Sequence, residues 1–508
     1  MFESAELGHK VAKASYDRRV PALRVSLLEA QLKVLEKGEF PVVIVVGGED
    51  GSGRSEVVNL LLEWMDPRHV RVHASEAPVD GAHGRPPMWR FWCQLPGKGK
   101  SALFFGGWYG EPIADRVAGR MGGAAFARQL AEVSRFERML VDEGALVIKL
   151  WLHLQKKTQR RRFAKLEADP ATAWRVTKGD WKRHRHYGET IAVVERALRE
   201  TNSPEAPWTV VDASDDRFRN LTVGAAIRDA MNARLEAGRR AVPARAAPPP
   251  PPAIDKRNVI AGLDLTRALR ETHYDKELPR LQGRLNALSR HKAFAGVGVV
   301  VVFEGNDAAG KGGAIRRVTR ALDARQYDVV PVAAPTEEER AQPYLWRFWR
   351  RVPSLGRFAL FDRSWYGRVL VERVEGFAAE PDWMRGYREI VDFEDALARW
   401  GIVVVKFWLA VSKEEQLARF EAREKTPFKR FKITADDWRN RKKWPVYERA
   451  VCDMVDRTST AVAPWHLIEA NDKRWARVRV LETLVESIER ALGERGKGPK
   501  RIEEGKGR

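Results

Sequence analysis

The sequence predicts an α/β protein made of two tandem P-loop kinase-like domains, each a mostly parallel sheet flanked by helices with a helical lid. Three observations predict it. Strand-length aliphatic runs, Val42–Val46 and Val299–Phe303, each lead into a glycine-rich turn and then a helix-like stretch. Further buried strands are expected at Phe358–Phe361, Ile402–Leu409 and Pro464–Ile468, alternating with segments rich in Glu, Arg, Leu and Ala. A single displacement also relates the two halves of the chain, which marks an internal repeat.

That displacement is 257 residues, the step from Gly48 to Gly305. It carries Asp50 onto Asp307, Trp89-Arg90-Phe91-Trp92 onto Trp346-Arg347-Phe348-Trp349, and Trp108-Tyr109-Gly110 onto Trp365-Tyr366-Gly367. Lys149, Arg162-Phe163 and Asp180-Trp181 fall on Lys406, Arg419-Phe420 and Asp437-Trp438 in the same way. The halves are therefore homologous and nearly gap-free. The expected domains are 1–237 and 255–495, with a proline-rich spacer at 238–254 and a basic tail at 496–508. A run of prolines cannot enter a sheet or helix interior, so the spacer reads as semi-rigid polyproline.

At 508 residues the chain exceeds what one core organises. Its aliphatic runs are too short to span a bilayer, so no membrane partner is expected. The opening MFESAELGHK lacks the pattern of a secretory signal. Cys93 and Cys452 lie far apart without CxxC spacing, and a cytoplasmic location without structural disulfides is the expectation. The formal charge of +21 calls for a polyanionic partner or at least a basic surface. Nucleic acid, a phosphate-rich small molecule and an inorganic phosphate polymer all satisfy it.

The second half carries the chemistry. In Gly305-x-x-x-x-Gly310-Lys311 the backbone of Gly305, Asn306, Ala308, Ala309, Gly310 and Gly312 is expected to wrap phosphate, with Lys311 neutralising the transferred group. Gly312 stands where such loops carry the Ser or Thr hydroxyl that binds magnesium. Asp307, a carboxylate among phosphates, either holds magnesium, takes a proton or caps the helix. Asp362, ending an apolar strand, is placed to be a second magnesium carboxylate, and Arg363 beside it could clamp a phosphate. The basic run Arg419–Lys443 reads as a lid, with Arg419, Arg423, Lys429 and Lys432 as its phosphate contacts. The tryptophans shared by both halves read as core packing, with Trp346 and Trp349 still candidates to line a nucleotide or phosphate groove, and His184-x-His186 reads as a surface pair.

The segments GNDAAGKGG, YLWRFW, FDRSWYGR and RFEAREKTPFKRFKITADDW together resemble the polyphosphate kinase 2 family, closely over 262–490 and more weakly over 20–235. The fused pair is similar to its two-domain class, the polyphosphate:AMP phosphotransferases. The resemblance implies magnesium (Mg2+) held by Asp307 and Asp362, inorganic polyphosphate as phosphoryl donor and AMP as acceptor, giving ADP. It makes Gly305–Lys311 the Walker A loop, Asp362 with Arg363 the Walker B element, and Arg419–Lys443 the lid. It also accounts for the basic charge without nucleic acid. An ATP-dependent nucleotide kinase on the same fold, and a non-catalytic protein that binds polyphosphate or nucleic acid, are the competing readings. A homo-oligomer is compatible with the sequence.

In the first half the displacement turns Lys311 into Arg54, and Phe361-Asp362-Arg363-Ser364 into Phe104-Phe105-Gly106-Gly107. Arg423 becomes Leu166 and Lys429 becomes Thr172. Asp50 survives without its partner carboxylate, so this half is expected to be non-catalytic: structural, an aid to dimer-like packing, or a guide for polymer.

Overall fold

The computed structural model describes residues 1–74, 81–238 and 258–495. The expected spacer, beyond Gly238, and the expected tail lie outside the described residues. Each half builds one five-stranded sheet. The first holds β1 (Val42–Gly48), β2 (Val70–Ala74), β3 (Ser101–Phe105), β4 (Leu146–His153) and β5 (Trp208–Asp212), in the order β2-β3-β1-β4-β5. The second holds β6 (Gly298–Gly305), β7 (Tyr327–Pro331), β8 (Phe358–Asp362), β9 (Ile402–Ala410) and β10 (Trp465–Glu469), in the equivalent order β7-β8-β6-β9-β10. Every strand pair is parallel, and the registers agree through the repeat: Val46 faces Phe105 as Phe303 faces Asp362.

The central strands β1 and β6 are buried almost throughout, as expected of strands covered on both faces. Helices Lys13–Lys37 and Asp216–Ala237 pack together beside the first sheet, and Glu271–Ser289 with Lys473–Arg495 beside the second. The edge strands β2 and β7 were not anticipated. They read Val-Arg-Val-His-Ala and Tyr-Asp-Val-Val-Pro and expose most of their length, so they lack the aliphatic run that betrays a central strand.

A buried polar network is duplicated as well. The Lys406 ammonium donates to Glu394 at 2.7 Å, to the Tyr366 hydroxyl and to the Thr458 carbonyl, while Trp365 and Tyr366 donate to the same carboxylate. Lys149, Glu137, Thr201, Trp108 and Tyr109 form the counterpart, with the Lys149–Glu137 contact also at 2.7 Å. Retained tryptophans thus serve packing: Trp108 and Trp365 are fully buried, each edge-on to a phenylalanine. Trp346 and Trp349 are buried too, and neither lines the cleft beside the Gly305–Lys311 loop.

By compactness the described residues form two units, one of 1–74, 90–238 and 335–347, the other of 81–89, 258–334 and 348–495. Within the first, the Lys98 amide donates to the Ala341 carbonyl. Within the second, Leu355 and Trp400 both donate to the Gly84 carbonyl. Among the described residues no helix is long and apolar enough to cross a membrane.

Candidate active site

The site forms where β6 and β8 end. The apolar run of β6 stops at Glu304, and the chain turns sharply at Gly305 with φ 148°. A Cβ there would lie 2.5 Å from the Leu409 carbonyl oxygen, so only glycine fits. The loop then opens the helix Lys311–Thr319. Lys311 folds back to donate to the Gly305 and Asn306 carbonyls at 2.6 and 3.3 Å. Burial pushes its pKa down and Arg363 adds to this, against the pull of Asp307, Asp362 and Glu304.

Asp307 accepts hydrogen bonds from Arg363 at 3.1 Å and from Asn440 at 2.8 Å. Burial works against the charge of Arg363, but Asp307, Glu304 and Asp362 outweigh it and raise its pKa. The structure therefore brings Asp307, Lys311, Asp362 and Arg363 to one place. Asp362 is half-buried, and among the described residues its carboxylate has no hydrogen-bond or ion-pair partner. Magnesium at phosphoryl-transfer sites takes one or two carboxylates, water and substrate phosphates. The two aspartates fit that set, with Asp362 open and Asp307 having to exchange a present partner. No cluster of three potential metal-ligating side chains gathers among the described residues.

The run expected to be a lid falls on helix Lys413–Glu424, a short turn at Pro427–Lys432 and helix Ala435–Lys442. Arg419, expected on phosphate, is instead buried with its guanidinium on the carbonyls of Ala308, Ala309, Ala470 and Asn471. It braces the loop from behind. Arg423 is half-buried, and its charge is felt by Asp437 and Asp307. The side chains of Lys429 and Lys432 lie outside the described residues.

Sequence reasoning missed Glu304. It is buried and accepts from the Ser364 hydroxyl at 2.8 Å. Burial raises its pKa, opposed by Lys311, Ser364 and Arg363. The signal was present: Glu49 and Glu304 close both aliphatic runs. Trp408 was missed as well. Its indole N–H is buried beside this site and has no acceptor among the described residues.

The equivalent place in the first unit is closed on itself. Asp50 is held by Arg54 at 3.2 Å and by Arg183 at 2.5 Å. Arg54 lies over the ring of Phe105, which occupies the position of Asp362. With Gly107 in place of Ser364, Glu49 accepts instead from Trp151, His153 and the Leu154 amide. His184 is buried against Gln159, not on the surface as expected, and only His186 is exposed.

The backbones nonetheless agree. Ala308 and Arg363 sit at φ 63° and 62°, and the matching Gly51 and Gly106 at 77° and 74°. Non-glycine residues in that region cluster where function holds them.

The family profile described as Polyphosphate kinase 2 (PPK2) matches residues 10–238 and again 268–496. A Pseudomonas aeruginosa protein named polyphosphate:AMP phosphotransferase is 52% identical over 97% of this chain and 99% of its own length. An Acinetobacter johnsonii protein of the same name is 36% identical over 92% and 95%. A solved polyphosphate kinase 2 structure from Pseudomonas aeruginosa aligns with TM-score 0.88 at 50% identity, covering 98% of this chain and all of that one. With a profile match in each half and full-length likeness to these proteins, the chain belongs to the polyphosphate kinase 2 family.

Proposed function

We propose that the second unit transfers the terminal phosphoryl group of inorganic polyphosphate to AMP, forming ADP with magnesium, and that the first unit is non-catalytic. The gathering of Asp307, Lys311, Asp362 and Arg363 in only one of two otherwise matching sites carries this reading. The full-length likeness to proteins named polyphosphate:AMP phosphotransferase supports the choice of substrates.

Polyphosphate lies with its end in the loop, where backbone N–H groups and the start of the helix Lys311–Thr319 favour negative charge. Lys311 leaves its loop carbonyls for the transferred phosphoryl, and Arg363 clamps the adjoining phosphates. An α-phosphate oxygen of AMP attacks the terminal phosphorus in line. The new P–O bond forms as the terminal P–O–P bond breaks, and the shortened polymer keeps the electron pair on its new end. Magnesium, when bound by Asp307 and Asp362, supplies charge neutralisation at the phosphates. Positioning and electrostatics provide most of the acceleration, since little covalent chemistry is asked of the protein.

The acceptor's place is the cleft continuing from Gly305, Asp307 and Arg363, walled by Ile260, Leu370, Val371, Trp408, Trp444 and Tyr447. Apolar and aromatic walls interleaved with polar side chains such as Asn306, Gln416, Asn440 and Glu448 suit a nucleoside, whose base stacks and whose sugar hydrogen-bonds.

The deciding experiment is phosphorus NMR of AMP, magnesium and polyphosphate with the full chain. ADP should appear, and ATP should not replace polyphosphate as donor. Asp307→Asn and Asp362→Asn should each slow ADP formation about 10²–10³-fold. Near-normal turnover by either variant would remove that residue from the site.

A further inference from the structure

Helix Lys156–Ala168 of the first unit carries six cations and one carboxylate, whereas its counterpart Lys413–Glu424 carries three cations and four carboxylates. Under the repeat, Lys157, Arg160, Arg161 and Lys165 stand where the second unit has Glu414, Leu417, Ala418 and Ala422. The inward face is the same in both. Gln159 and Arg162 donate to the Asp50 and Gly51 carbonyls, as Gln416 and Arg419 donate to those of Asp307 and Ala308. Packing therefore demands nothing of the added cations.

Lys156, Lys157, Arg160, Arg161 and Lys165 are all exposed. Four-residue spacing sets them in two neighbouring rows along the outer face, 156–160 and 157–161–165. Like charges at that spacing oppose the helix. Among the described residues, none of the five side chains has a hydrogen-bond or ion-pair partner. The buried His184 registers the field: burial pushes its pKa down, and Lys156 and Arg160 push it further. A surface that keeps uncompensated repulsion without a packing reason has a partner that relieves it.

We propose that this outer face is a docking site for the polyphosphate chain, carried by the non-catalytic unit. The inference rests on the polyphosphate reading above. A flexible polymer charged at every phosphate suits two rows of flexible cations, requires no shaped pocket and binds by releasing counterions. Docked on the same molecule as the Lys311 loop, it is held at high local concentration for successive transfers. Only a long chain has length to spare for docking while its end is in the active site.

The test gives the helix its counterpart's residues: Lys157→Glu, Arg160→Leu, Arg161→Ala and Lys165→Ala together in the full chain. KM and kcat are measured for long-chain polyphosphate and for tripolyphosphate, with fluorescence anisotropy of labelled long-chain polyphosphate across salt. The KM for the long chain should rise about tenfold or more, with binding weakened and its salt dependence flattened. Its kcat, and both constants for tripolyphosphate, should not move. The pair Lys157→Arg with Lys165→Arg should behave as wild type, which separates charge from folding damage. An unchanged long-chain KM and affinity would overturn the proposal, as would an equal loss for both substrates. Loss of single-stranded RNA binding alone would assign the face to nucleic acid and also overturn it. If the wild type forms no ADP, the catalytic reading fails, while the anisotropy comparison still decides this one.

Discussion

At the level of single residues, the two units differ where the backbone turns left-handed. Ala308 and Arg363 hold conformations that the first unit gives to glycine. Each costs about 1–2 kcal/mol for a residue with a Cβ. Ala308→Gly should therefore stabilise the chain by about 0.5–1 kcal/mol in chemical denaturation, once the larger chain entropy of glycine is allowed for. Arg363→Gly should relieve similar strain yet lose turnover, because it removes one of the two donors to Asp307 and the proposed phosphate clamp. Equal effects on activity from both would sink this separation of strain from function. These positions also show what the sequence made legible. That Asp307, Lys311, Asp362 and Arg363 meet at one place was legible from residue type and spacing. Glu304 left a signal, since Glu49 and Glu304 close both aliphatic runs, but a carboxylate ending an apolar strand looks like an ordinary step towards solvent until Ser364 is seen bonded to it. Arg419 misled for a related reason: a basic side chain announces its charge but not its direction, and this one points at carbonyls.

Among elements, the parallel order was legible in the aliphatic runs and the repeat, whereas the edge strands β2 and β7 were not. Edge strands carry polar side chains to protect their open side, and that erases the hydrophobic signal. What binds strand to helix is the buried lysine–glutamate pair, tying β9 to helix Glu380–Trp400. Burial pushes Lys406 down and Glu394 up, so each needs the other to stay charged. Lys406→Met alone should cost about 3–5 kcal/mol by leaving Glu394 buried without its cation, and adding Glu394→Leu should recover most of it. Denaturation of the single and double variants checks this. A double variant no more stable than the single would mean that the pair is not the network's chief element.

Across the whole chain, catalysis is assigned to one unit, so the paired loop positions should respond unequally. Lys311→Ala should lower kcat about 10²–10³-fold, and Arg54→Ala, at the equivalent place, should leave it unchanged. Comparable losses in steady-state assays would mean that both loops work. The composition of the units reaches beyond activity to the ribosome. The first unit includes residues 335–347, which are synthesised well after residue 238. At elongation rates of about 5–20 residues per second that delay is about 5–20 s. The nascent first unit has all five of its strands by then but lacks one packing segment, so translation speed between these points governs how long the unit stands incomplete before chaperones and misassembly.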